Sequence, residues 1–382
     1  MGNKYRSCNL IQHGLCFFDS QIVSCCYSPV DQIDGQQPPS IYKNYKGEFL
    51  TREELFSLIE KHSRIFKEGG TPPQCKGCFK IEEKEWEEND KYIDFVTVSH
   101  YSVCNADCVY CSNNLTPEER TNDSYKILPV LKKFKEDGVL KEGFELHIGG
   151  GEFSIYEESD AIIEEFALTN FAKVYIATNA IKYSQKIFEA LDNRSSVIIL
   201  SLDSGCRETY KKVKRIDAFE KVIENLSKYA STENSRQQIT LKYIIIPTMN
   251  DNMTEFKKFI EIAKRFKVKY VSIDIEARYS RSVNHHIDYF YYELAEKMKK
   301  IAESCNCFED VQLHSFMQQD KEIIKEYKNK PLKRIAGFIK TKLDGKKFKK
   351  LYTEHKYWFL ILFTLKSVNV QVWILSWFSC LC

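Results

Sequence analysis

Three cysteines, Cys104, Cys108 and Cys111, stand in the stretch VCNADCVYCSNN with the spacing C-x3-C-x2-C, and the next cysteine is Cys206. A structural zinc site takes four ligands and disulfides take pairs, so three thiols on one short loop suit neither. Three thiolates can hold three corners of a 4Fe-4S cube, because iron–sulfur clusters select soft thiolate ligands. The fourth iron would then stay open to a substrate or cofactor, by the logic that separates catalytic from structural zinc sites. The alternatives are a zinc site completed by a distant histidine, or plain loop cysteines. A second group, Gly149-Gly150-Gly151-Glu152-Phe153, offers backbone that a ligand can approach closely and a carboxylate that can pair with an amino group. Taken alone, such a glycine run is more often a turn.

Elements must bring these groups together. Between residues 94 and 277, apolar β-branched runs alternate with amphipathic stretches: DFVTVS (94–99), FELHI (144–148), AKVYIAT (172–178), SVIILSL (196–202), ITLKYIII (239–246) and KYVSIDI (269–275). Several are apolar almost throughout, as strands covered on both faces are. In DAFEKVIENLSKYA the apolar residues Phe219, Val222, Ile223, Leu226 and Tyr229 recur at helical spacing, with Asp217 and Glu220 placed as a cap and its reciprocal partner. MTEFKKFIEIAKRF repeats the pattern. Six alternating units predict a parallel sheet, rolled into a barrel or an open barrel. The cysteine loop follows the first strand and the glycine run follows the second. Both therefore sit at the C-terminal strand ends, where α/β active sites collect.

The C-x3-C-x2-C loop, the GGGE turn and six β/α units together resemble the radical S-adenosylmethionine (SAM) superfamily, and ATNA (177–180), SLDSG (201–205) and KYIIIPTMND (242–251) agree with it. The resemblance covers about residues 94–277. It implies a partial (β/α)6 TIM-like barrel in which Cys104, Cys108 and Cys111 ligate the cluster and the open iron binds SAM. Tyr110, before the last cysteine, would contact the adenine. Gly149 belongs to the same turn, in which Gly150, Gly151 and Glu152 would receive the methionine amino group, with Asn179, Ser201 and Asp203 as ribose or carboxylate contacts. Asn179, Ser201 and Asp203 also read as ordinary sheet-end caps, and Tyr110 as loop packing. Phe153 stands where the family often has proline. The implied chemistry is reductive cleavage of SAM to a 5′-deoxyadenosyl radical that takes hydrogen from a peptide, carbohydrate or other small substrate, with a reductant such as flavodoxin or ferredoxin as partner.

The chain has 382 residues, 43% of them hydrophobic and 29% charged, enough for one large α/β core with appendages, and a net charge of +3 that does not by itself argue for nucleic acid. Its 14 cysteines, without an apolar signal segment at the start, read as metal ligands in a reducing cytoplasm. Residues 1–90 form a cysteine-rich segment, 91–280 the core, and 281–382 a helical and basic extension with an apolar tail. In the first segment Cys75 and Cys78 form C-x2-C, and Cys8 with Cys25 or Cys26 would complete four ligands for a second 4Fe-4S cluster or for zinc. This resembles SPASM or twitch auxiliary-cluster modules, except that those follow the barrel. Cys16 reads as an apolar filler, Cys206 as structural, Cys305 and Cys307 as helix-end thiols, and His285-His286 as a solvated pair. The basic run 321–350 and the tail suggest peripheral contact at the inner face of a membrane, while Lys366 argues against a span. Two other functions fit the sequence: an RNA-modifying enzyme, for which no RNA-binding motif speaks, and a non-catalytic iron–sulfur sensor or scaffold.

Overall fold

The computed structural model describes residues 3–18, 20–25, 40–72, 75, 78, 80–86, 91–111, 115–116, 119–120, 124–276 and 289–313. Cys26, the His285-His286 pair, the basic run and the apolar tail lie outside the described residues.

The six apolar runs form strands β6 (Ile93–Val98), β7 (Leu140–Ile148), β8 (Ala172–Thr178), β9 (Ser196–Ser201), β10 (Ile239–Ile245) and β11 (Tyr270–Ile275). They pair in sequence order and in parallel, as right-handed β/α crossovers require. The helices between them are α3 (Leu128–Glu136), α4 (Ser159–Ile162, continued by a π-helical turn Ile163–Ala167), α5 (Gln185–Asp192), α6 (Arg207–Lys214), α7 (Phe219–Tyr229), α8 (Glu233–Arg236) and α9 (Met253–Arg265). After β11 come α10 (Tyr289–Ser304) and β12 (Asp310–Leu313), which pairs in parallel with β11.

Alternate strand residues build the core. Val96, Leu146, Val174, Ile198, Leu241 and Ile273 are fully buried and belong to one apolar cluster with helical residues such as Phe134, Phe166, Leu191, Leu226 and Phe259. Their strand neighbours point to the opposite face. That face is more polar than the sequence suggests: it carries Glu145 and His147 on β7, Lys242 on β10, and Ser272 and Asp274 on β11.

Residues 1–90 hold more regular structure than their lack of rhythm suggests. They form β1 (Asn3–Ser7), α1 (Asn9–His13), β2 (Gly14–Phe18), β3 (Gln21–Val23), β4 (Ser40–Lys43), α2 (Arg52–Lys67) and β5 (Glu82–Trp86). Among the described residues β1 pairs only with β5. β2 pairs in parallel with β6, and β3 and β4 follow antiparallel, so among the described residues the large sheet has ten strands in the order β12-β11-β10-β9-β8-β7-β6-β2-β3-β4. Among the described residues its two ends do not meet. It is an open barrel, lengthened at both ends by the flanking segments.

Helix starts follow local chemistry. The Thr51 hydroxyl accepts the Glu54 amide at 3.2 Å and the Glu54 carboxylate accepts the Thr51 amide at 2.9 Å, a reciprocal cap on α2. Asn252 caps α9 by accepting the Glu255 amide at 2.9 Å. Asp217 does not cap α7, whose N-cap is Ala218. The Arg207 guanidinium, at the start of α6, takes Asp217 instead through two bonds of 2.7 and 2.8 Å. No helix among the described residues is long and apolar enough to cross a membrane.

Candidate active site

The cysteine loop leaves the C-terminal end of β6 and is held from both sides. The amides of Asp107 and Val109 donate to the carbonyls of Lys214 and Val213, at 3.1 and 3.0 Å, at the end of α6. Asp107 also pairs with Arg120 at 2.8 Å and with Arg215 at 3.3 Å. Cys108 and Cys111 close a tight turn, with the Cys111 amide donating to the Cys108 carbonyl at 3.0 Å. Cys104, Cys108 and Cys111 are all half-buried free thiols. Burial pushes the thiols of Cys104 and Cys108 up, and the Lys214 ammonium partly offsets this at Cys108.

The GGGE turn interlocks with this loop. The Gly151 and Glu152 amides donate to the carbonyls of Tyr101 and Val103, at 3.0 and 2.7 Å. A side-chain carbon on Gly151 would lie 2.1 Å from the Val103 oxygen, and one on Gly150, whose φ is +90°, 2.6 Å from the Tyr101 oxygen. These two glycines are therefore required by loop-to-loop packing, whatever else approaches them. Gly149 continues the sheet, its amide donating to the Val98 carbonyl at 2.9 Å.

Glu152 is buried, and its carboxylate has four donors from this chain. One oxygen accepts the Ser154 amide (3.1 Å), the Ser154 hydroxyl (2.7 Å) and the Thr178 hydroxyl (2.8 Å), and the other accepts the Asn179 amide (2.7 Å). A carboxylate offers about four acceptor positions, so Glu152 ties the end of β7 to the end of β8. Asn179 extends the tie: its side-chain amide donates to Asn105 at 2.8 Å and lies 3.8 Å from the Cys104 sulfur.

Asp203 and Tyr110 form a different centre, joined by a residue the sequence did not flag. Asp203 is fully buried and left-handed, at φ 55°. One of its oxygens accepts the Ile244 amide at 2.7 Å. The other accepts the Tyr110 hydroxyl and, at 2.5 Å, the fully buried ammonium of Lys214, which also donates to the Tyr110 hydroxyl. Burial alone would lower the Lys214 pKa, but the charges of Asp203 and Cys108 outweigh it and hold the group above its ordinary value. Burial likewise holds the Tyr110 phenol well above its usual range. Both Asp203 oxygens thus accept from groups of this chain. Ser201, half-buried, ends β9 opposite Lys242, on the same sheet face. In sequence Lys214 sits in KKVK, which reads as a solvated basic run, so only the fold reveals its position.

Tyr101 was also missed. It is buried, stacks on Tyr156 (centroids 4.3 Å apart, planes 12° apart), and its hydroxyl lacks a hydrogen-bond partner among the described residues. Its strongest charged neighbours are Glu152 and Cys104. An orphaned donor beside the Cys104 thiol and a Cβ-intolerant glycine cradle fits a cluster with an anionic ligand.

The N-terminal thiols converge as well. Cys8 stands at the start of α1, its thiol beside the amides of Ile11 and Leu10, and it interacts with Cys78. Burial, then the nearby thiols of Cys78 and Cys8, push Cys75 up to about 12. Cys8 and Cys25 are buried in one apolar cluster with Cys16 and Phe95, and Cys75 packs against it. Among the described residues, no three His, Cys, Asp or Glu side chains stand close enough to hold a single ion, at either cysteine group. The Cys206 sulfur lies 3.5 Å from Glu255, and Cys305 donates to the Ile301 carbonyl at 3.4 Å, as structural thiols do.

A family model described as Radical SAM superfamily matches residues 98–263. The GTP 3′,8-cyclase of Petrotoga mobilis is 25% identical over 190 residues, which cover 48% of this chain and 57% of that protein. The probable dual-specificity RNA methyltransferase RlmN of Shouchella clausii is 27% identical over 271 residues, 64% of this chain and 75% of that one. The crystal structure of Streptococcus suis SuiB bound to S-adenosylmethionine superposes with a TM-score of 0.48 at 12% identity, over 70% of this chain and 58% of that chain. The chain spans about half the length of the first curated relatives it matches. Across residues 98–263 this chain is similar to the radical SAM superfamily.

Proposed function

We propose that this chain is a radical SAM enzyme in which Cys104, Cys108 and Cys111 hold a 4Fe-4S cluster and the open iron takes SAM. The observation that carries the reading is the interlock of the three-cysteine loop with the GGGE turn, with the orphaned Tyr101 hydroxyl buried beside Cys104 and Glu152. When bound, the cluster and SAM supply a one-electron cleavage that delivers a 5′-deoxyadenosyl radical to the substrate. The protein supplies position. Gly149, Gly150 and Gly151 present backbone to the amino end of SAM, and Glu152 braces that turn while adding negative charge behind it. Tyr110, its hydroxyl tied back by Asp203 and Lys214, offers a ring face to the adenine. Asn179 and Ser201 border the ribose. The substrate lies on the sheet face of Ser201 and Lys242, where the Lys242 ammonium pairs with Asp274 at 3.2 Å. A flavodoxin or ferredoxin supplies the electron, and Cys8, Cys25, Cys75 and Cys78 hold a second metal centre, a 4Fe-4S cluster or zinc.

Anaerobic reconstitution followed by dithionite reduction with SAM tests the reading. Formation of 5′-deoxyadenosine is expected; none from a fully loaded cluster would leave a non-catalytic iron–sulfur protein. An RNA substrate is the second reading, favoured by the similarity to the RlmN protein across 64% of this chain. RNA binding over a salt series decides it: a phosphate-binding protein loses affinity steeply as salt rises, and no binding at low salt removes this reading.

A further inference from the structure

Buried tyrosines across the molecule spend their hydroxyls on named partners. Tyr45 donates to the Glu48 carbonyl and Tyr125 to the Phe18 carbonyl, both at 2.9 Å. Tyr156 donates to the Glu158 carboxylate at 2.7 Å and Tyr243 to the Asn250 carbonyl at 2.6 Å. Tyr229 accepts the Ser184 amide at 2.9 Å. Among the described residues, two buried phenols have no partner: Tyr101, 2% exposed, and Tyr210, fully buried. These two are not scattered. Tyr101 follows β6 and leads into the three-cysteine loop. Tyr210 lies on α6, whose last carbonyls hold the amides of Asp107 and Val109 in that same loop. Ring packing fixes both side chains: Tyr101 stacks on Tyr156, and Tyr210 packs on Phe219 with centroids 5.7 Å apart. Burial holds both phenols well above their usual range, so each keeps its proton, and Glu152 and Cys104 are charged neighbours of both. Cys108 is the strongest charged neighbour of Tyr210.

We infer that Tyr210, together with Tyr101, donates a hydrogen bond to the anionic group seated at the three-cysteine loop. This rests on the radical SAM reading above and adds to it a residue that none of the sequence motifs touches. The acceptors already present near these phenols are taken. Glu152 serves the Ser154 amide and hydroxyl, the Thr178 hydroxyl and the Asn179 amide. Asp203 serves the Ile244 amide, Tyr110 and Lys214. A carboxylate offers about four acceptor positions, so neither has much to give. Burying a hydroxyl without a partner costs free energy, and two such donors at one place point to an acceptor that arrives with the ligand. Two groups at this loop have that chemistry: a sulfur of the cluster and the carboxylate of SAM. A phenol donating to a cluster sulfur eases reduction, because hydrogen bonds to the sulfurs help set the potential. A phenol donating to the carboxylate holds the ligand through a charge-assisted bond.

Tyrosine-to-phenylalanine variants of the full chain test the inference, because they delete the hydroxyl and keep the ring. Without cluster or SAM, Tyr210→Phe should unfold at the same urea concentration as wild type or a higher one, since it removes an unpaired buried group. Tyr45→Phe, which removes a bond the protein makes, should unfold earlier. After anaerobic reconstitution the two acceptors give different results. With a cluster sulfur as acceptor, Tyr210→Phe shifts the midpoint potential, followed by EPR, to more negative values before SAM is added. With the SAM carboxylate as acceptor, that potential stays and SAM binds about tenfold more weakly or worse. Tyr101→Phe should move the same readout in the same direction, and Tyr45→Phe should move neither. Three results overturn the inference: potential and SAM affinity both unchanged in Tyr210→Phe, the mark of a buried water only; earlier unfolding of Tyr210→Phe without cluster or SAM, the mark of a structural hydroxyl; or an equal change in Tyr45→Phe. Wild type that takes up no cluster sinks the radical SAM reading and this inference with it. Wild type with a normal SAM response beside an unaltered Tyr210→Phe sinks this inference alone.

Discussion

The two cysteine groups differ in what surrounds them. The three-cysteine loop is embedded in polar machinery: Glu152, Asn179, Asn105, Asp203, Lys214 and Tyr110 hold it through directed bonds. The N-terminal thiols are embedded in apolar side chains, with Phe66, Phe95, Val23 and Leu10 in their cluster. A reactive centre needs fixed dipoles, an open position and orientation. A structural one needs exclusion of water and a full ligand set. The same residue type thus stands in two different settings, and its surroundings, not its spacing alone, separate them.

Removing a cysteine from each group should break the comparison most visibly. Cys108→Ala should abolish 5′-deoxyadenosine formation, measured under anaerobic dithionite reduction, while Cys75→Ala should leave the first cluster's SAM response within error. Next in size is the polar frame. Lys214→Met leaves Asp203 buried without its cation, and breaking such a pair by removing one partner costs about 3–5 kcal/mol; urea unfolding reads this, and Asp203→Leu added to Lys214→Met should recover part of it. Gly151→Ala drives a carbon into the Val103 carbonyl, and overpacking of this kind costs about 1–3 kcal/mol. It should show as lower cluster loading as well as earlier unfolding. Glu152→Gln keeps the shape but presents an amide to groups that donate, so a loss of about 1–3 kcal/mol is expected, read as a lower unfolding midpoint together with weaker SAM binding. Loss of SAM binding with unchanged stability would instead make Glu152 a direct ligand contact.

Much of this was legible in the sequence. The six parallel strands are long apolar runs, and the structure places their ends within a residue or two, except that β7 begins earlier, at Leu140. β2, β3 and β4 were not legible, because runs of three to five residues carry no clear period. The glycine turn stood out as a motif, but the reason for Gly150 and Gly151, carbonyls arriving from another loop, is a tertiary fact. Asp203 looked like a ligand contact. Its partner Lys214 comes from the end of α6, and no local pattern announces a buried pair formed across two elements. Asp217 sat in a capping position that a competing arginine took over.

The most direct test of the central claim is 5′-deoxyadenosine production by the reconstituted, dithionite-reduced chain with SAM, compared between wild type and Cys108→Ala. Product from wild type and none from the variant is the predicted result. No product from wild type carrying a full 4Fe-4S cluster, or equal product from the variant, would contradict the account.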